Sequence, residues 1–151
     1  MKNKFFYFAV VIIFVVSLFF IPQKHNLGDI KSVKITGQNI KVDLALTGAE
    51  QAQGLSGRTA LKDDAGMLFV FNKAGIYPFW MKDMNFSIDI IWIGEDMRII
   101  YIKKFAKPED YPATYGPDVL TSVGTKYVLE VVSGFSDKNN LKVGDRVEFG
   151  Y

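Results

Sequence analysis

The chain has 151 residues, a formal net charge of +2, no cysteine and one histidine, His25. Without cysteine there are no disulfides, thiolate metal sites or cysteine nucleophiles, and a lone histidine outside the domain cannot build a Ser–His–Asp triad or a histidine-rich zinc site. Setting aside Lys2 and Lys4 leaves 18 − 2 = 16 basic against 16 acidic residues over 22–151, a balance that gives no clustered basic face for nucleic acid.

The chain opens on "MKNK" and then Phe5 to Ile21, "FFYFAVVIIFVVSLFFI", an uncharged run of seventeen residues. At 1.5 Å per residue a helix of this length covers about 25 Å, the short end of a bilayer span. Lys2 and Lys4 favour keeping the N-terminus in the cytoplasm. A cleaved signal peptide is the alternative, but such peptides end in small residues, and this run ends "SLFFIPQKH". The expectation is a single-pass anchor over residues 1–21 in a bacterial cytoplasmic membrane. A tether follows over 22–30, and one domain outside the cytoplasm over 31–151.

From residue 31 the pattern changes to period two. "KSVKIT" and "IKVDLAL" alternate apolar and polar residues, as half-buried strands do, with a hairpin expected at "GQN". Thr47, with Glu50 three residues on, matches a capping box and predicts a short helix over about 48–53. "GMLFVF" (66–71) reads as a strand buried on both faces. "YPFWMKDM", "SIDIIWIG" and "MRIIYIKKF" read as three more strands. Residues 105–122, "FAKPEDYPATYGPDVLTS", form a long irregular segment of the kind that is usually functional or mobile. "TKYVLEVV" returns to strand, "SGFSDKNN" suggests a helical turn, and "LKVGDRVEF" closes the chain on a strand. Seven or eight short strands and two short helices predict a mainly β domain, a small curved sheet or barrel with helices over its openings.

"GLSGR", "GMLFVF", "FWMKDMNFSIDIIWI", "YVLEV" and "VGDRVEF", in this order and spacing, resemble the family catalogued as domain of unknown function 192, over residues 34–149. The resemblance implies a compact barrel-like domain, often behind a signal sequence, and no assigned activity. Two departures stand out. Asp83 occupies a position where the family usually has Asn, and Ser87 one where it usually has Pro.

Polar residues set into the apolar stretch 77–96 are the candidate site. Asp89, between Ile88 and Ile90, points away from both by strand alternation. The resemblance adds that Arg58 and Asp89 are typical residues at their positions. They are expected either to join Lys82 and Asp83 in a ligand cleft, or to pair with each other and fix the short helix against the sheet. Trp80 and Trp92 share a parity and are expected in the core. Tyr111 and Tyr115, on the Pro-rich segment, offer contact surface for a sugar, peptide or protein, or else tuck back against the barrel. Asp83 with Asp89 is the best carboxyl pair for acid–base chemistry, and Asp63 with Asp64 the next; no spacing enforces the geometry a glycosidase needs. No acidic loop is dense enough for calcium, and no metal or other cofactor is expected. These readings converge on a membrane-anchored extracytoplasmic binding module, held by residues 5–21, with an envelope carbohydrate or envelope protein as partner. A carboxylate-dependent envelope hydrolase and a structural docking module are the alternatives.

Overall fold

The computed structural model describes residues 26–118 and 124–151. The expected membrane segment, residues 5–21, and the first residues of the tether lie outside them. No helix among the described residues is long and apolar enough to cross a membrane.

The strands are β1 (Ser32–Ile35), β2 (Gln38–Ala45), β3 (Ala65–Gly75), β4 (Phe79–Trp80), β5 (Ile88–Gly94), β6 (Ile99–Ala106), β7 (Thr114–Tyr115), β8 (Thr125–Val132) and β9 (Val147–Gly150). Two short helices accompany them, α1 (Gly48–Gln53) and α2 (Phe135–Lys138). Seven strands form one sheet in the order β6-β5-β8-β3-β2-β1-β9, while β4 and β7 make a separate two-stranded ribbon. The architecture is therefore mainly β, a curled half-barrel sheet with two short helices.

Each turn follows from its residues. β1 and β2 pair from Ile35 opposite Gln38, so Thr36 and Gly37 form the turn, both with positive φ, as the twist of a two-residue hairpin requires. This is one residue ahead of the expected turn. β2 and β3 run parallel and so need a crossover, which α1 supplies. Its capping box forms as predicted: the Thr47 hydroxyl accepts from the Glu50 N–H, and the Glu50 carboxylate accepts from the Thr47 N–H.

The curl brings the two edge strands together at one end. Arg98, just before β6, bridges Arg146, just before β9, and Ile99 N–H and Val147 N–H donate to the Asp145 and Met97 carbonyls. Inside the curl lies one apolar cluster, with Val33, Ile35, Leu68, Ile91, Leu129 and Val147 among its members. A second covers the opposite face of β3, β5 and β8, where Leu55, Met81 and Met84 pack on Phe69, Ile90, Trp92 and Val128. The central strands are thus buried on both sides, which is why β5 shows no exposed residue.

Burial on both faces places Asp89 in the interior, fully shielded from solvent; it faces neither water nor a cleft. Ile88 pairs with Ala106 and Ile90 with Lys103, so two residues of β6 oppose Asp89 in a bulge. The Phe105 N–H released by that bulge donates to Asp89 Oδ1 at 2.9 Å. Gly134 N–H donates to the same oxygen at 3.1 Å and Ser136 N–H to Oδ2 at 2.8 Å. One carboxylate therefore ties the β6 bulge to the turn that starts α2.

The expected Arg58–Asp89 pair does not form: Arg58 donates to Asp43 on β2 at 2.8 Å, in a largely exposed ion pair. The two interactions differ in strength. Asp89→Ala would strand three interior N–H groups, each worth about 1–3 kcal/mol when orphaned, whereas an exposed pair contributes about 0–1 kcal/mol. In urea unfolding, Asp89→Ala is expected to lose more than about 3 kcal/mol and Arg58→Ala about 1 kcal/mol or less; comparable losses would contradict this assignment.

Candidate functional site

The loops that follow α1 and precede β5 are laced together over the second face of the sheet. Ser56 Oγ donates to the Lys82 carbonyl at 2.8 Å, Gly57 N–H to the Asp83 carbonyl at 2.9 Å, and Asn85 Nδ2 to the Arg58 carbonyl at 2.9 Å. Asp83 holds a positive φ of 54°, a conformation that Asn and Asp both tolerate better than other side chains. The departure from Asn at this position is therefore met by backbone geometry. Lys82 and Asp83 have exposed side chains and take part in the lacing through their carbonyls.

Between this lacing and the sheet lies a cavity of about 220 Å³. Residues 51–56 roof it, Phe69, Phe71, Tyr77, Phe79 and Trp80 wall it, and Glu130 of β8 reaches it from the sheet. The ring wall is ordered by its own contacts. Phe71 and Tyr77 stack at 3.6 Å between centroids, Phe79 meets Phe69 edge-on at 4.8 Å, and Trp92 Nε1 donates to the Tyr77 carbonyl at 2.9 Å. Trp92 is fully buried as expected, but Trp80 stays 48% exposed, because β4 pairs with β7 and not with the main sheet.

Glu130 is the residue that sequence reasoning missed. It stands opposite Met67 on β3 and Ile90 on β5, is 4% exposed, and its Oε2 has no hydrogen-bond partner among the described residues. Gly54, at the C-terminus of α1 with φ +50°, lies beside this oxygen: a Cβ there would stand 3.8 Å from Oε2 and 3.3 Å from the Phe69 ring. Burial pushes the Glu130 carboxyl up to about 8, and the Arg58 guanidinium offsets only part of that rise. An unpartnered carboxyl in an apolar wall opposes folding, and residues held at such a cost are candidates for function.

The remaining expected site residues disperse. Arg58 lies outside the cavity on Asp43, and Asp89 belongs to the other face of the sheet. Tyr115 is half-buried under Lys103, whose Nζ stands 4.4 Å from its ring centroid. The Tyr115 phenol is pushed up to about 12, first by burial and then by its hydrogen bond to Asp110. That bond is also the largest reason the Asp110 carboxyl lies below its ordinary range. Tyr115 thus pins its loop, while Tyr111 is exposed and remains available for contact. A second cavity of about 330 Å³ near Asp63, Asp64 and α2 is lined by no buried unpartnered side chain among the described residues. Its Asp64 is exposed and ion-paired with Lys41 at 3.1 Å.

The Glu130 shift makes stability depend on pH with a definite sign. The folded carboxyl binds its proton more tightly than the unfolded one, whose ordinary value is 4.5. Below that value both states are protonated and the group is neutral to stability. Through the window from 4.5 to about 8 the unfolded state alone ionises, and stability falls by up to about 1.4 kcal/mol per pH unit before levelling. Denaturant titrations should show this fall in the wild type and a flat profile in Glu130→Met. Parallel profiles would contradict a neutral buried Glu130.

The chain matches the model of the family DUF192, described as "Uncharacterized ACR", over residues 31–149. No curated protein matches it. Among solved structures it is similar to a protein of unknown function from Novosphingobium aromaticivorans, at 34% identity and a TM-score of 0.72, covering 82% of this chain and 89% of that one. It is also similar to a proposed transcription regulator from Sinorhizobium meliloti, at 29% identity and a TM-score of 0.69, covering 78% and 92%. With the family model matched over most of its length, the chain belongs to the DUF192 family.

Proposed function

We propose that the chain is a binding module, anchored in the membrane by residues 5–21 and exposed outside the cytoplasm, whose ligand seat is the aromatic cavity beneath α1. The observation that carries this reading is the Glu130 carboxyl, whose Oε2 is buried and unpartnered among the described residues, in the lining of a preformed apolar cavity. A few convergent polar groups in an apolar, ring-lined hollow are the usual composition of a small-ligand site. The volume of about 220 Å³ suits one recognised group of a larger partner, such as an envelope glycan or an envelope protein.

A hydrolase fits the cavity less well. Two carboxyls must face a scissile bond, and among the described residues that line the cavity Glu130 is the one carboxyl. The regulator description of the Sinorhizobium neighbour has no support in charge, since residues 22–151 carry equal numbers of acidic and basic side chains and DNA binding draws on a basic face.

Ala52 provides the test, because it is exposed yet lines the cavity. Ala52→Trp should obstruct the mouth without touching the core. Soluble envelope glycans and envelope proteins that raise the melting temperature of the wild type are expected to lose at least tenfold in affinity for this variant. Partners that bind both equally would place the seat elsewhere, and a melting temperature unmoved by every partner would count against the binding reading. The anchor is tested by fractionation: the full chain should remain with membranes through an alkaline wash, and the chain from residue 22 should not.

A further inference from the structure

We propose that the cavity seats an organic ammonium group, a protonated amine on a short apolar or aromatic stem, with the Glu130 carboxylate as its counter-ion. This inference rests on the reading of the cavity as a ligand seat and names the class of ligand.

The first argument comes from the donors in the lining. Gln51 Nε2 donates to the Ala45 and Val70 carbonyls, which fixes the orientation of its amide, and Gln53 Nε2 donates to the Ser56 carbonyl. Ser56 Oγ donates to the Lys82 carbonyl and the Tyr77 hydroxyl to the Lys73 carbonyl. Most side-chain donors around the cavity are already bound to backbone oxygens; the half-exposed Trp80 indole and the second N–H of the Gln53 amide are the exceptions. Acceptors predominate in what remains for a ligand: the side-chain carbonyls of the two glutamines and, once ionised, the Glu130 carboxylate. Facing an ionised Glu130, the ligand must bring the hydrogens.

The second argument is charge. Among the described residues no Lys, Arg or His lines the cavity, so an anion would find no compensating cation. A neutral alcohol could satisfy Oε2, but only a cation also draws on the faces of aromatic rings and on the charge of an ionised Glu130. The third argument is size. About 220 Å³ is smaller than the roughly 300–1,000 Å³ that holds a drug-sized molecule, which leaves room for a head group and a short stem.

Binding then moves a proton. Met67 from β3 and Ile90 from β5 stand opposite Glu130, Gly54 just after α1 lies beside it, and among the described residues the charge acting on it is Arg58. In the empty cavity at neutral pH the carboxyl keeps its proton. An arriving ammonium stabilises the carboxylate, and the displaced proton leaves for solvent.

Three probes of one shape and three head groups test this on the full-length protein: 2-phenylethylamine, 2-phenylethanol and phenylacetate. Tryptophan emission reports occupancy, since Trp80 lines the cavity and Trp92 packs on its Phe79 wall. At pH 8 the amine is expected to bind at least tenfold more tightly than the alcohol, and phenylacetate most weakly. Amine affinity should rise by up to about tenfold per pH unit between about 6 and 8 and then level. Calorimetry in two buffers of different ionisation heat should record about one proton released near pH 7. In Glu130→Gln the amine should fall to the level of the alcohol and lose its pH dependence.

Alcohol or phenylacetate binding as tightly as the amine, with all of it lost in Ala52→Trp, would overturn the ammonium class and leave the seat standing. Binding of the amine that Ala52→Trp does not weaken, or no binding by any probe, would overturn the seat and this inference together. Nα-acetyl-lysine methylamide, compared with butylamine, separates the two sources of the chemistry. Tighter binding of the lysine derivative points to a protein side chain, and tighter binding of butylamine to a free amine.

Discussion

Burial of the central sheet on both faces is the constraint on which the rest of this molecule depends. Once β3, β5 and β8 carry apolar clusters above and below, a polar side chain on them has no water to turn to and must find a partner inside. Two acids test that rule. Asp89 and Glu130 lie one register step apart on neighbouring strands, Ile90 being the residue opposite Glu130, and they project to opposite sides. Asp89 receives three backbone N–H groups, whereas Glu130 Oε2 receives none. Asp89 belongs to the fold for that reason, and Glu130 lines the cavity on the other face.

The cavity lies between the sheet and the segment formed by α1 and the residues that follow it. The helix is only six residues long and is held at its start by the Thr47–Glu50 box. Beyond its end the chain is held by Leu55, which is 1% exposed, and by the bonds to the 82–85 loop. The Phe69, Phe71, Tyr77 and Phe79 rings pack mostly against one another, and Gly54 contributes no side chain. The hollow is thus framed by elements that are each satisfied without a ligand, so that it is preorganised and loses little freedom when filled.

Much of this was legible in the sequence where physics is local. The capping box at Thr47, the period-two strands and the doubly buried run at 66–71 rest on near neighbours or simple alternation, and each appears in the fold. Contacts that depend on backbone atoms were not legible. The partners of Asp89 are N–H groups of Phe105, Gly134 and Ser136, and no residue type advertises a free N–H; the natural guess was a cation, Arg58, which instead found Asp43 on β2. Glu130 was hidden for a different reason. In "YVLEVV" an acid at an alternating position reads as the wet side of a strand, and only knowledge that α1 covers that side turns it into a buried group. Trp80 erred the other way, since its parity matched Trp92 but its strand belongs to the small ribbon with β7.

The meeting of β6 and β9 through Arg98 and Arg146 has a bearing on how other chains can approach. An open sheet presents rows of unpaired N–H and C=O groups that invite a foreign strand, whether from a partner or from an identical molecule. Here each edge terminates against the other at one end, and the backbone groups nearest the junction are already occupied by Asp145, Met97 and Ile99. A domain built in this way resists being zipped onto its neighbours there, even where many copies are crowded together. Recognition at that end falls to side chains.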